Sequence, residues 1–118
     1  MKTETNKVTD HNLFFNYGKK SVSIEKIKYI ESFAGNYSMI RLEDKKYICS
    51  AFTLKHYSTM LVGENQFFLA RKGLLLNLNY IHEINEFEGV KSVKLSTGEV
   101  FKLSRRLGSK LVNYLNSN

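Results

Sequence analysis

The sequence predicts an all-β domain carrying two short helices, and three observations lead there. Seven glycines and no proline leave the turns to Gly, Asn, Asp and Ser. Such turns mark themselves at Tyr17-Gly18-Lys19, Gly35-Asn36, Glu43-Asp44-Lys45, Lys72-Gly73, Glu88-Gly89 and Thr97-Gly98. The segments between them are rich in Ile, Val, Tyr, Phe and Leu, which suit a pleated, half-buried surface. Apolar residues mix with lysines in Val90-Lys91-Ser92-Val93-Lys94-Leu95 and Val100-Phe101-Lys102-Leu103, as in strands with one packed face and one wet face.

Taken along the chain, these signals predict ten strands. The first five are Leu13 to Tyr17, Ser21 to Ser23, Ile27 to Phe33, Tyr37 to Leu42 and Lys46 to Ala51. The remaining five are Phe67 to Ala70, Leu74 to Leu76, Ile81 to Phe87, Val90 to Leu95 and Val100 to Leu103. Tight turns at Glu43-Asp44, Glu88-Gly89 and Thr97-Gly98 make hairpins of their flanking strands. Two segments break the β pattern. Thr53 to Leu61 sets Leu54, Tyr57 and Leu61 at helical spacing behind a Thr53 cap, with Gly63 beyond as a stop. Ser104 caps a second helix, in which Leu107, Leu111, Val112 and Leu115 share one face and the basic first turn points away from the core. Residues 1–11 read as a disordered polar tail and 12–118 as one domain, without linker, repeat or low-complexity tract.

Composition narrows the function classes. At 42% hydrophobic and 13% aromatic, 118 residues can bury a real core, which excludes global disorder. No run approaches the roughly 18 apolar residues of a membrane-spanning helix. The opening MKTETNKVTDHN has no apolar signal-peptide centre, so a cytoplasmic protein with no membrane partner is the expectation. Cys49 stands alone, and His11, His56 and His82 are scattered, so neither an internal disulfide nor a metal site is expected, and no cofactor. No enzyme is expected either. The paired carboxylates Glu43-Asp44 and Glu86-x-Glu88 sit at turns where solvation explains them, and Cys49 between Ile48 and Ser50 reads as a buried, inert thiol.

Charge supplies the positive signal. Eighteen Lys+Arg against 11 Asp+Glu leave +7 and a pI near 9.5, which points to a polyanionic partner. The surplus is segregated. Residues 66–82 carry Arg71 and Lys72 without an acid, and residues 100–118 carry Lys102, Arg105, Arg106 and Lys110 without one; the intervening 83–99 hold Glu83, Glu86, Glu88 and Glu99. Turn tips with long polar or basic side chains recur at Gly35-Asn36-Tyr37, Arg71-Lys72-Gly73 and Ser104-Arg105-Arg106. Glycine turns and helix starts let a backbone approach a duplex closely, where Arg and Lys read guanine and amides or hydroxyls hold phosphates. The alternative is a non-catalytic β-domain that meets an acidic protein or anionic membrane with the same basic face. Some polar residues fit structural roles instead: Asn77 as a buried or turn-bonding amide, Glu31 as an ion-pair partner, Lys91 and Lys94 as exposed strand lysines.

Three blocks resemble the LytTR DNA-binding domain of bacterial transcription regulators. They are Tyr29-Ile30-Glu31-Ser32-Phe33-Ala34-Gly35-Asn36-Tyr37-Ser38, the stretch from Phe67 through Ala70-Arg71-Lys72-Gly73 to Ile81, and Leu103-Ser104-Arg105-Arg106. Their order and spacing also match, over about residues 12–115. The resemblance implies an elongated antiparallel β-sandwich that inserts loops and turns into successive major grooves of double-stranded DNA. It implies base contacts at Tyr37, Arg71, Lys72 and Arg105, and backbone contacts at Asn36, Gly73, Ser104 and Arg106. It further implies a response-regulator output domain, with two copies on repeated half-sites as a homodimer on DNA. Since the chain length is filled by that one domain, a stand-alone form without a receiver is expected.

Overall fold

The computed structural model describes residues 7–9, 12–15, 20–61 and 66–117. Among them are eleven strands in three antiparallel sheets, and two α-helices. A five-stranded sheet is the shared central layer. It is built from β4 (Ile27–Phe33), β5 (Tyr37–Leu42), β6 (Tyr47–Ser50), β7 (Phe67–Arg71) and β8 (Leu74–Asn77), in the order β6-β5-β4-β8-β7. On one face lie β1 (Lys7–Thr9), β2 (Asn12–Phe15), β3 (Lys20–Ser23) and helix α1 (Leu54–Met60). On the other lie β9 (Ile81–Phe87), β10 (Val90–Leu95), β11 (Val100–Lys102) and helix α2 (Arg105–Ser117). The body is elongated, 52 × 29 × 25 Å.

Strand alternation decides which residue enters which core. Register sets Ile30 opposite Ile40 and Leu75, and all three join Leu13, Ile24, Tyr57 and Leu61 in the first core. Tyr29, one residue away, faces the opposite side and packs with Leu74, Leu76, Val93, Leu95, Leu103 and Leu111. The unbroken run Leu74-Leu75-Leu76 follows from this: β8 is covered on both faces, so every side chain of it is buried. Asn77 closes that strand as a fully buried amide, donating to the Ile27 carbonyl at 2.8 Å and accepting from the Asn79 N–H at 2.9 Å.

Both helix caps form where the sequence predicts them. Thr53 Oγ1 accepts the His56 N–H and Ser104 Oγ accepts the Leu107 N–H. The three tight hairpins form as well. The predicted turn at Tyr17-Gly18-Lys19 and the stop at Gly63 lie outside the described residues. Of residues 1–11, where the sequence predicts a disordered tail, only Lys7–Thr9 is described. It forms β1, paired with Asn12–Phe14, because backbone pairing to a partner strand needs no apolar signal of its own.

Two further expectations are corrected. Cys49 is exposed, because β6 is an edge strand and the second layer does not extend over that end of the central sheet. Lys91 is half-buried: its aliphatic stem lies against Gly108 of α2 while its ammonium reaches Glu86 at 3.0 Å.

Lys28, also in a strand, is 5% exposed and pairs with Glu99 from the β10–β11 turn. Burial raises the Glu99 carboxyl, and hydrogen bonds from Lys28 and Thr97 outweigh it, holding it below the usual carboxylate range. A carboxyl depressed on folding contributes stability that is complete above the ordinary Glu value of about 4.3 and is lost as the pH falls through the depressed value. The urea midpoint is therefore expected to fall below about pH 4, and Glu99→Gln is expected to flatten that acid limb. An unchanged limb would show that the pair does not couple to folding.

Candidate nucleic-acid interface

Two turns meet at one end of the central sheet. The β4–β5 turn, Ala34-Gly35-Asn36, is closed by the Asn36 N–H donating to the Ala34 carbonyl at 2.9 Å. The β7–β8 turn is Lys72-Gly73, where Gly73 adopts φ +87, a value L side chains rarely reach. Because β4 and β8 are neighbours, the turns sit side by side: the Ser32 N–H donates to the Gly73 carbonyl at 2.9 Å. The same approach brings Ser32 Oγ within 2.8 Å of where a Gly73 Cβ would lie. Tyr37 follows the first turn and is 45% exposed beside Phe33, its cross-strand partner. Asn36, Arg71 and Lys72 are exposed.

The start of α2 comes alongside the second turn. Phe68, Leu69 and Leu107 floor a groove of about 440 Å³ between β7 and α2, and Arg71, Lys72, Arg106 and Lys110 surround it. Among the described residues no carboxylate lines it, and none of the four cations makes an ion pair. Among the described residues the paired cations lie elsewhere: Lys28 with Glu99, Arg41 with Glu31, Lys46 with Asp44, and Lys91 with Glu86. The described acids that pair thus neutralise charge away from the groove, and its four cations stay unneutralised by them. The Arg71 guanidinium is steadied over the Phe101 ring, 5.5 Å from its centroid, which orients the charge without cancelling it.

Arg105 stands apart from this cluster. Its Nη2 donates to the Glu88 carbonyl at 3.0 Å, so the side chain lies over the β9–β10 hairpin tip. It shares a second hollow, of about 330 Å³, with Phe87, Val90, Ser92 and Lys102. Ser104 has committed an acceptor lone pair to capping α2, and its O–H remains able to donate.

The eight residues marked by the sequence therefore fall into three places. Asn36 lies in the first turn and Tyr37 opens the strand after it, Arg71, Lys72, Gly73 and Arg106 surround the groove and its adjoining turn, and Arg105 sits over the hairpin with Ser104 at the helix start. Lys110 is the groove residue that motif reading passed over. Its signal was present in the four-residue spacing from Arg106, which places both on one helix face. The hairpin support of Arg105 had no such signal, since it is a backbone carbonyl.

Compared with known proteins, residues 18–116 match the family model described as the LytTr DNA-binding domain. The fold is similar to that of a LytTr DNA-binding domain from a Bacillus cereus protein described as a methyl-accepting/DNA response regulator. The TM-score is 0.70 over 98% of this chain and 97% of that one, at 19% identity. No curated protein matches the chain.

Proposed function

This chain belongs to the LytTR family of DNA-binding domains, and from that premise we propose that it reads specific sequences in double-stranded DNA as the output domain of a transcription regulator. The observation that carries the reading is the groove between β7 and α2: four cations, an apolar floor and, among the described residues, no carboxylate. Cations at phosphates release condensed counterions and supply affinity, whereas side chains at turn tips reach base edges and supply sequence preference. In this reading Tyr37, Arg71, Lys72 and Arg105 contact bases, and Asn36, Gly73, Ser104 and Arg106 contact the backbone, with Lys110 extending the phosphate track. Successive major grooves on one side of a duplex recur about every 34 Å, and a body 52 Å long can span that interval. Residues 12–118 act as one DNA-binding unit, and two copies occupy repeated half-sites as a homodimer on DNA.

Selection of bound duplexes from a random library at two salt concentrations tests this. Enrichment of a defined motif that persists at physiological salt is expected. Binding that shows no preference and vanishes with salt would favour a general polyanion surface instead. Replacing Arg106 and Lys110 together by alanine is expected to weaken all duplexes alike. It should also reduce the slope of log affinity against log salt by about 1.8, since each phosphate contact contributes about 0.9. An unchanged slope would remove both from the phosphate track.

A further inference from the structure

We infer that the β9–β10 hairpin tip positions Arg105 for base reading, with the Glu88 carbonyl as its anchor and Gly89 as the clearance that lets the guanidinium dock. The inference rests on the DNA-reading role proposed for Arg105 and assigns the residues that set its direction. Glu88 and Gly89 form a two-residue turn between Phe87 and Val90, and both have positive φ, +53 and +82. A left-handed pair at this place is what a tight hairpin requires. The turn also exposes the Glu88 carbonyl toward α2, where it accepts from Arg105 Nη2 at 3.0 Å.

Gly89 does more than satisfy the turn. A Cβ built there would lie inside the van der Waals contact of Arg105 Nη1 and 3.1 Å from Cζ. The obstructed atoms are the far end of a flexible side chain, so the guanidinium, rather than the fold, gives way. The neighbouring hairpin provides the contrast. Gly98 has φ +104, and an added Cβ there would meet nothing within 4 Å. The two glycines share the backbone demand, and only Gly89 clears space for the arginine.

An exposed arginine held at one donor loses less freedom when it meets a base than one that must first be ordered. The anchor engages one of the guanidinium's five donors and leaves the rest of the fork for an acceptor pair such as guanine O6 and N7. The direction of the fork then depends on a turn 16 residues away in sequence.

The test uses Gly89→Asn, which tolerates positive φ yet carries the obstructing Cβ, together with Gly89→Ala, the controls Gly98→Asn and Gly98→Ala, and Arg105→Ala. On the duplex selected by the unaltered protein, the Gly89 variants are expected to lose discrimination at the same base pair as Arg105→Ala, within the about 5- to 140-fold range of a single bidentate contact. The Gly98 variants should retain it. In an Arg105→Ala background, Gly89→Asn should change binding by less than about twofold, because coupled residues do not add. Independently of DNA, the side-chain NMR signal of Arg105 Nε–H should shift and broaden in the Gly89 variants and stay put in the Gly98 variants. A Gly89→Asn protein with an unmoved Arg105 signal and full discrimination would overturn the positioning role. If Arg105→Ala itself leaves binding unchanged, the DNA-reading role fails and the inference falls with it, even where the NMR signal moves.

Discussion

Leu111→Ala is expected to lower the unfolding free energy by about 2–5 kcal/mol, the range for removing a large side chain from a closed core. Leu111 is fully buried, and within the thirteen residues of α2 it shares that burial only with Gly108. The helix is thus held by a narrow stripe. Gly108 supplies close approach, its missing Cβ being replaced by the Lys91 stem, while Leu111 supplies the apolar area against Val93, Leu95 and Leu103. Truncating Leu111 opens a cavity between the helix and both sheets. A domain of this size has about 5–15 kcal/mol to lose, so the melting temperature should fall by several degrees or more. The functional consequence follows from place: α2 forms one wall of the basic groove, and loosening it separates Arg106 and Lys110 from Arg71 and Lys72. Urea unfolding checks the first part and DNA affinity near the lowered melting temperature checks the second. A loss below about 1 kcal/mol would mean that α2 is docked by something other than this core.

Arg105→Ala is expected to weaken binding to the selected duplex by about 1–3 kcal/mol and to relax preference at one base pair. The side chain is exposed and its fork is held by the Glu88 carbonyl. Such a fork recognises guanine by two parallel hydrogen bonds, whereas a phosphate contact carries no sequence information. The pattern of the loss therefore matters more than its size. Affinities measured across single-base variants of the duplex separate the cases: a loss confined to one position identifies a base contact, and an equal loss on every sequence identifies a phosphate contact. Arg105→Lys should recover charge but not the fork, and so restore affinity on all sequences without restoring the preference.

Much of the architecture is legible in the chain because it is encoded within a few residues. Glu88-Gly89 and Thr97-Gly98 declare their hairpins, and Ser104 with Leu107 and Leu111 declares a capped amphipathic helix. The charge map is legible too: the acid-free stretches around Arg71-Lys72 and Arg105-Arg106 are the ones that come to flank the groove and the hairpin tip. What misleads is coverage. Cys49 lies between an isoleucine and a serine in a strand, which reads as buried, and is exposed because the second layer stops short of β6. Lys91 reads as an exposed strand lysine and is half-buried because Gly108 of α2 packs against its stem.

By itself, then, the sequence determines an all-β domain with two short helices, the positions of its turns and caps, and two basic segments free of acid. Period, capping and turn chemistry act between residues no more than a few positions apart, so they survive being read in one dimension. Only the tertiary structure decides which face of each strand is covered, and that Arg71, Lys72, Arg106 and Lys110 share one groove while Arg105 leans on a different hairpin. Those outcomes depend on which layers stack and how far each extends, and a side chain forty residues away in sequence becomes a neighbour only once the sheets have packed.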